Sequence, residues 1–147
     1  MAYRALGKRL PASGVVVLST PSVISVIDDD ASVRAATNNL LRSRGYIVHT
    51  FASAEEFLRS PDLMDETSCV IADVQMSVMS GLDLLANMRT LGYYVPFIFI
   101  TAFPDEGVRA RALRAGAIGY LAKPFAAPSL IKCLDTALEG HHGGART

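Results

Sequence analysis

The chain has 147 residues, half of them hydrophobic and 19% charged, with a formal net charge of zero. That length suits one domain with a core of its own, and the composition excludes a disordered chain. Zero net charge excludes a general attraction to nucleic acid or anionic membrane, and no apolar run approaches the roughly 18 residues of a membrane span.

At the N-terminus, Arg4, Lys8 and Arg9 precede the apolar residues 15–18, a faint likeness to a secretory signal. Pro11, Ser13 and Gly14 interrupt that stretch, and no small-x-small cleavage site follows. Residues 1–21 therefore read as an N-terminal extension, with 15–18 a candidate edge strand set apart by Pro21. Val23–Ile27 is the first firm strand and ends in Asp28-Asp29-Asp30. Val33, Ala36, Thr37, Leu40 and Leu41 then repeat at helix spacing until Gly45 stops them. Ile47–Phe51 is a second strand. Ser53 with Glu56 forms a capping box that starts a helix at Phe57 and Leu58.

Residues 69–72 form a third strand ending at Asp73, and a second capping box, Ser80 with Asp83, leads into Leu84, Leu85 and Met88. Residues 97–100 form a fourth strand ending at Thr101. Val108, Ala112 and Ala115 line a helix closed by Gly116. Residues 119–121 form a short fifth strand ending at Lys123-Pro124, and Pro128 sits where a last helix begins, with Leu130, Ile131, Leu134, Ala137 and Leu138 as its buried stripe. Residues 140–147 read as a disordered tail. Cys69 and Cys133 lack ligand-like neighbours at metal spacing and read as buried, reduced thiols of a cytoplasmic protein.

Strands alternate with helices five times, which predicts an α/β fold with a parallel sheet covered on both faces; continuous apolar strands suit that burial. In the flavodoxin-like strand order 2-1-3-4-5, ligands bind beyond the carboxyl ends of the strands, where strands one and three part. Asp28 and Asp29 follow the first strand, Asp73 the third, Thr101 the fourth and Lys123 the fifth. Clustered carboxylates repel one another and raise each other's pKa unless a cation sits among them. Asp28, Asp29, Asp73 and the Gln75 backbone carbonyl form an oxygen donor set for Mg²⁺. A carboxylate can also act as a nucleophile toward phosphorus, with the metal, Lys123 and the Thr101 hydroxyl each neutralising one phosphoryl oxygen. Singly, an aspartate after a strand is usually a cap or turn residue, and Asp30 reads as such a cap for the first helix. Together and in this order, the four strand-end groups argue for a site.

Ile27-Asp28-Asp29-Asp30, Ala72-Asp73-Val74-Gln75-Met76, Ile100-Thr101-Ala102 and Lys123-Pro124-Phe125 together resemble the receiver domain of two-component response regulators over residues 22–139. The stretch from Phe51 to Leu58 and Met79-Ser80-Gly81-Leu82 are similar to its FixJ-like subgroup. The resemblance implies a doubly wound (βα)5 three-layer sandwich with strand order 2-1-3-4-5. It implies a bacterial, cytoplasmic phosphoacceptor, not an enzyme on other substrates, that takes a phosphoryl group on Asp73 from a sensor histidine kinase or a phosphotransfer protein. It implies Mg²⁺ or Mn²⁺ on Asp28, Asp29, Asp73 and the Gln75 carbonyl, with Thr101 and Lys123 assisting. It also implies a switch in which Thr101 moves toward the phosphoryl group and Tyr120 turns inward. That switch would remodel the face of the fourth helix, fifth strand and fifth helix, which is also the candidate homodimer surface. Tyr120 reads equally as an ordinary half-buried strand aromatic.

Two departures stand out. Ser77 and Val78 replace the family's usual proline and turn-tolerant residue after Met76, and a β-branched valine resists positive φ, so an altered loop is expected beside Asp73. No recognition helix follows the fifth helix, so direct DNA binding by this chain is not expected, and it reads as a stand-alone receiver or a fragment. The Ser77-Val78 change leaves open a phosphorylation-independent interaction module. Asp28-x-Asp30-x-Ser32 is similar to the signature of haloacid-dehalogenase-like phosphohydrolases, with Asp28 as nucleophile and Asp30 as acid/base. The acidic pair such enzymes need on a strand after the lysine is missing.

Overall fold

The β-branched and aromatic runs all become parallel strands. The computed structural model describes residues 20–140. The elements are β1 (Val23–Ile27), α1 (Ala31–Ser43), β2 (Ile47–Phe51), α2 (Ala54–Leu58), α3 (Pro61–Glu66), β3 (Cys69–Asp73), α4 (Gly81–Thr90), β4 (Phe97–Thr101), α5 (Glu106–Arg114), β5 (Gly119–Ala122) and α6 (Ala127–Gly140). The sheet order is β2-β1-β3-β4-β5, with every pairing parallel. The expectations for residues 1–19, including the edge strand at 15–18, and for the tail at 141–147 lie outside the described residues. Among the described residues no helix is long and apolar enough to cross a membrane.

Helices cover both faces, which explains the unbroken apolar strands. On one face Val70 and Ala72 of β3 with Phe97 and Phe99 of β4 meet Phe57, Met64, Leu84, Leu85, Met88 and Ala112 from α2 to α5. On the other, Cys69 and Ile71 with Ile98 and Ile100 meet Leu41 of α1 and Leu130, Leu134 and Ala137 of α6. The edge strand β2 is less covered, burying Val48 on one face and Phe51 on the other and exposing Ile47 and Thr50. Ser25, a buried polar residue of the central β1, is satisfied by a 2.8 Å hydrogen bond with Thr67.

Local chemistry sets the element ends. Asp30 caps α1, accepting from the Ser32 and Val33 N–H groups, as expected of it. Gly45 and Gly116 end their helices with φ of +90° and +104°, a region that suits a residue without Cβ. Ser80 and Asp83 form the full reciprocal capping box. The box at Ser53 is only half made: Ser53 accepts from the Glu56 N–H, but Glu56 Oε1 reaches past Ser53 to the Ala52 N–H at 2.7 Å. The single helix expected there is two, because Pro61 cannot continue α2 and instead opens α3. Ala36 and Ala115, expected on buried faces, are exposed, and Cys133 is half-buried.

Candidate functional site

The topology delivers the strand-end groups to one place. Asp28 follows β1, Asp73 closes β3, Thr101 closes β4, and Lys123 follows β5 by one residue. Because β1 and β3 are neighbours with Ile27 beside Ala72, Asp28 and Asp73 leave the sheet side by side, at the switch point of the strand order. One carboxylate oxygen each from Asp28, Asp29 and Asp73 lie within 4.8 Å of one another. Asp28 and Asp73 are buried and Asp29 is exposed.

Lys123 crosses from the far side of the sheet to reach two of these. Its Nζ donates to Asp73 Oδ2 at 3.0 Å and stands 2.9 Å from Asp28 Oδ2. The second contact is close enough for an ion pair, yet no hydrogen bond of good angle forms there, so Asp28 Oδ2 is buried without a directional partner. The other oxygens are held by backbone: Asp28 Oδ1 accepts from the Asp30 N–H at 2.9 Å, and Asp73 Oδ1 from the Gln75 N–H at 3.1 Å. Two buried carboxylates thus share one ammonium, with a third close by. Burial pushes the Asp73 carboxyl above the usual carboxylate range; Lys123 pulls it back in part, and the charge of Asp28 adds to the rise. Burial alone would lower the Lys123 ammonium, but its two carboxylate partners outweigh that and hold it above its ordinary value. The donor set suits a hard divalent cation: it is all oxygen, it carries excess negative charge, and it includes one buried oxygen lacking a directional bond.

Thr101 is buried, and its hydroxyl is already engaged: it donates to Gln75 Oε1 at 2.7 Å and accepts from the Phe103 N–H at 3.0 Å. Tyr120 is half-buried, and its hydroxyl accepts from the Asp105 N–H at 3.3 Å at the head of α5. Asp30 lies beside the cluster but spends its carboxylate on the α1 cap.

Three features go beyond what the sequence points to. Sequence reasoning marks only the backbone of Gln75, whereas its side chain holds Thr101. Arg34 Nη1 donates to the Asp28 carbonyl at 2.6 Å. Gly81 opens α4 directly against the Asp73 carbonyl and the Phe99 ring, where a Cβ has no room. A glycine in the first turn of a helix, where most residues serve better, is the one signal of that close approach in the sequence.

The loop expectation is corrected in part. A β-branched Val78 is expected to refuse positive φ, but it adopts φ +67°. It centres a three-residue turn closed by the Met79 N–H on the Ser77 carbonyl at 2.8 Å. The side chain is 92% exposed, so no packing offsets the strain of a β-branched residue there. Val78→Gly, which has no Cβ to strain in this region, is expected to raise the free energy of unfolding by about 1 kcal/mol. Urea denaturation checks this; an unchanged or lower stability would mean the turn is not strained.

A parallel five-stranded α/β sheet of order 2-1-3-4-5 with helices on both faces defines the flavodoxin-like fold class, here with a carboxylate–lysine cluster at its switch point. Within that class the chain belongs to the response regulator receiver domain family, whose model matches residues 24–135. Nodulation protein W of Bradyrhizobium diazoefficiens is 39% identical over 121 residues, covering 82% of this chain and 53% of that one. Transcriptional regulatory protein FixJ of the same organism is 33% identical over 131 residues, covering 88% of this chain and 63% of that one, in keeping with a FixJ-like receiver. The crystal structure of a response regulator receiver protein from Burkholderia phymatum is 42% identical with a TM-score of 0.71, covering 80% of this chain and 95% of that one. The chain spans about half the length of the first curated relatives it matches.

Proposed function

We propose that this receiver domain of a two-component system accepts a phosphoryl group on Asp73 from the phosphohistidine of a sensor kinase or phosphotransfer protein. The observation that carries the reading is the convergence of buried Asp28 and Asp73 on Lys123 at the switch point. In the transfer, an Asp73 carboxylate oxygen forms a bond to phosphorus, the phosphorus–nitrogen bond breaks, and the departing imidazole nitrogen takes up a proton. Asp28, Asp29, Asp73 and the Gln75 carbonyl would hold Mg²⁺ or Mn²⁺, which when bound would supply charge neutralisation at the phosphoryl oxygens. Lys123, already at Asp73, pairs with a second oxygen. Thr101 donates to a third after leaving its present partner, and Tyr120 then turns inward and remodels the α5–β5–α6 face, the candidate homodimer surface. That face corresponds to the fourth helix, fifth strand and fifth helix expected from the sequence. The domain's output is that altered protein surface, not contact with nucleic acid or membrane.

The phosphohydrolase reading with Asp28 as nucleophile loses ground, because Asp30, its required acid/base, is committed to the α1 cap.

The test is intact mass after incubation with acetyl phosphate. A gain of about 80 Da, one phosphoryl group, is expected with Mg²⁺ and not with EDTA. Labelling that persists in EDTA would overturn the metal assignment. No labelling under any condition would leave the phosphorylation-independent interaction module as the better reading.

A further inference from the structure

The geometry points to Gln75 as a positioning residue that latches Thr101 away from the acceptor site and so opposes the phosphorylated state. This deepens the proposed phosphoacceptor function and rests on it. A threonine hydroxyl has one proton to donate. In this structure that proton goes to Gln75 Oε1 at 2.7 Å, while the Phe103 N–H fixes the oxygen from behind at 3.0 Å. Thr101 itself is fully buried. The same hydroxyl cannot donate to Gln75 and to a phosphoryl oxygen on Asp73 at once. Each bond forms at the expense of the other.

Gln75 is well placed to compete. Its backbone N–H holds Asp73 Oδ1 at 3.1 Å, so backbone and side chain of one residue tie the acceptor to the switch threonine. The side chain is itself exposed and borders a groove of about 460 Å³ lined in part by Met76, Val108 and Arg111, which gives the amide room to swing aside. By linkage, a contact made only in the unphosphorylated form weakens whatever stabilises the other form by the same factor. One net hydrogen bond corresponds to roughly a three- to tenfold change in equilibrium.

Gln75→Ala removes the latch but leaves the backbone carbonyl and N–H in place. In metal-free protein, NMR couplings across Thr101 χ1 should report one rotamer in wild type and averaging in Gln75→Ala. With Mg²⁺, calorimetric titration with beryllofluoride, a phosphoryl mimic, should show roughly three- to tenfold tighter binding to Gln75→Ala. In a Thr101→Ala background the same substitution should change the affinity by less than about twofold. A Thr101 rotamer already averaged in wild type overturns the latch. So does unchanged or weaker beryllofluoride binding by Gln75→Ala, or an enhancement that survives Thr101→Ala. If none of the proteins binds beryllofluoride, the phosphoacceptor reading itself fails and the latch falls with it.

Discussion

Asp73→Asn is expected to gain no mass from acetyl phosphate under conditions that label the wild type fully, with phosphoryl uptake slowed at least about a thousandfold. An amide keeps the shape of the carboxylate but offers no nucleophilic oxygen anion. The same substitution should raise the melting temperature of metal-free protein at neutral pH. Burial and the nearby charge of Asp28 hold the folded-state Asp73 carboxyl above its unfolded value despite the help of Lys123. For an acid whose folded pKa is raised, the native state binds the proton more readily than the unfolded chain. Stability from this group is therefore gained as pH falls through the folded pKa, and its charge costs stability above it. Asparagine removes that cost, and Lys123 keeps Asp28 as a partner. Mg²⁺ should stabilise the wild type and raise the melting temperature of Asp73→Asn much less. Thermal denaturation with and without EDTA reads both effects. A label that survives in the variant would remove Asp73 from the mechanism.

Gly81→Ala should destabilise the fold by about 3 kcal/mol or more, at or beyond the upper end of ordinary overpacking. A Cβ built there overlaps the Asp73 carbonyl oxygen and lies 2.9 Å from Phe99 Cε1. Neither can yield cheaply: the carbonyl belongs to a central strand, and the ring is fully buried. The Gly81 N–H also donates to the Val74 carbonyl at 2.9 Å, which pins the helix start to the strand end. The restricted unfolded chain of the alanine variant returns only about 0.4–1 kcal/mol. Because the displaced atom is part of Asp73, the proposed acceptor, the remaining folded protein should also take up phosphoryl groups on the order of a hundredfold more slowly. Urea denaturation and the labelling rate check the two parts separately. A variant close to wild type in both would show that α4 can retreat from β3 without consequence.

The sheet and the positions of its acidic ends were legible because each depends on short-range pattern: apolar runs, caps at Asp30 and Ser80, and glycines at Gly45 and Gly116. Strand order then followed from topology rules and family likeness, and it brought Asp28, Asp73 and Lys123 together as expected. What stayed hidden depends on contacts between distant segments. Nothing in Gln75-Met76-Ser77 says that its amide will meet a hydroxyl 26 residues on. Nothing local says that Gly81 will face the carbonyl of Asp73. Val78 shows the converse failure. Its intrinsic preference was read correctly, but the turn that joins β3 to α4 overrides it.

Lys123 sits 95 residues after Asp28 (123 − 28) in the chain, and both contribute to one ion cluster. At about 5–20 residues per second, a ribosome places some 5–20 seconds between the emergence of the first carboxylate and of the lysine that pairs it in the folded site. During that interval no nascent chain can hold the assembled cluster. Under the proposed phosphoacceptor function, competence arrives only once β5 has been made, and a molecule interrupted before it stays silent.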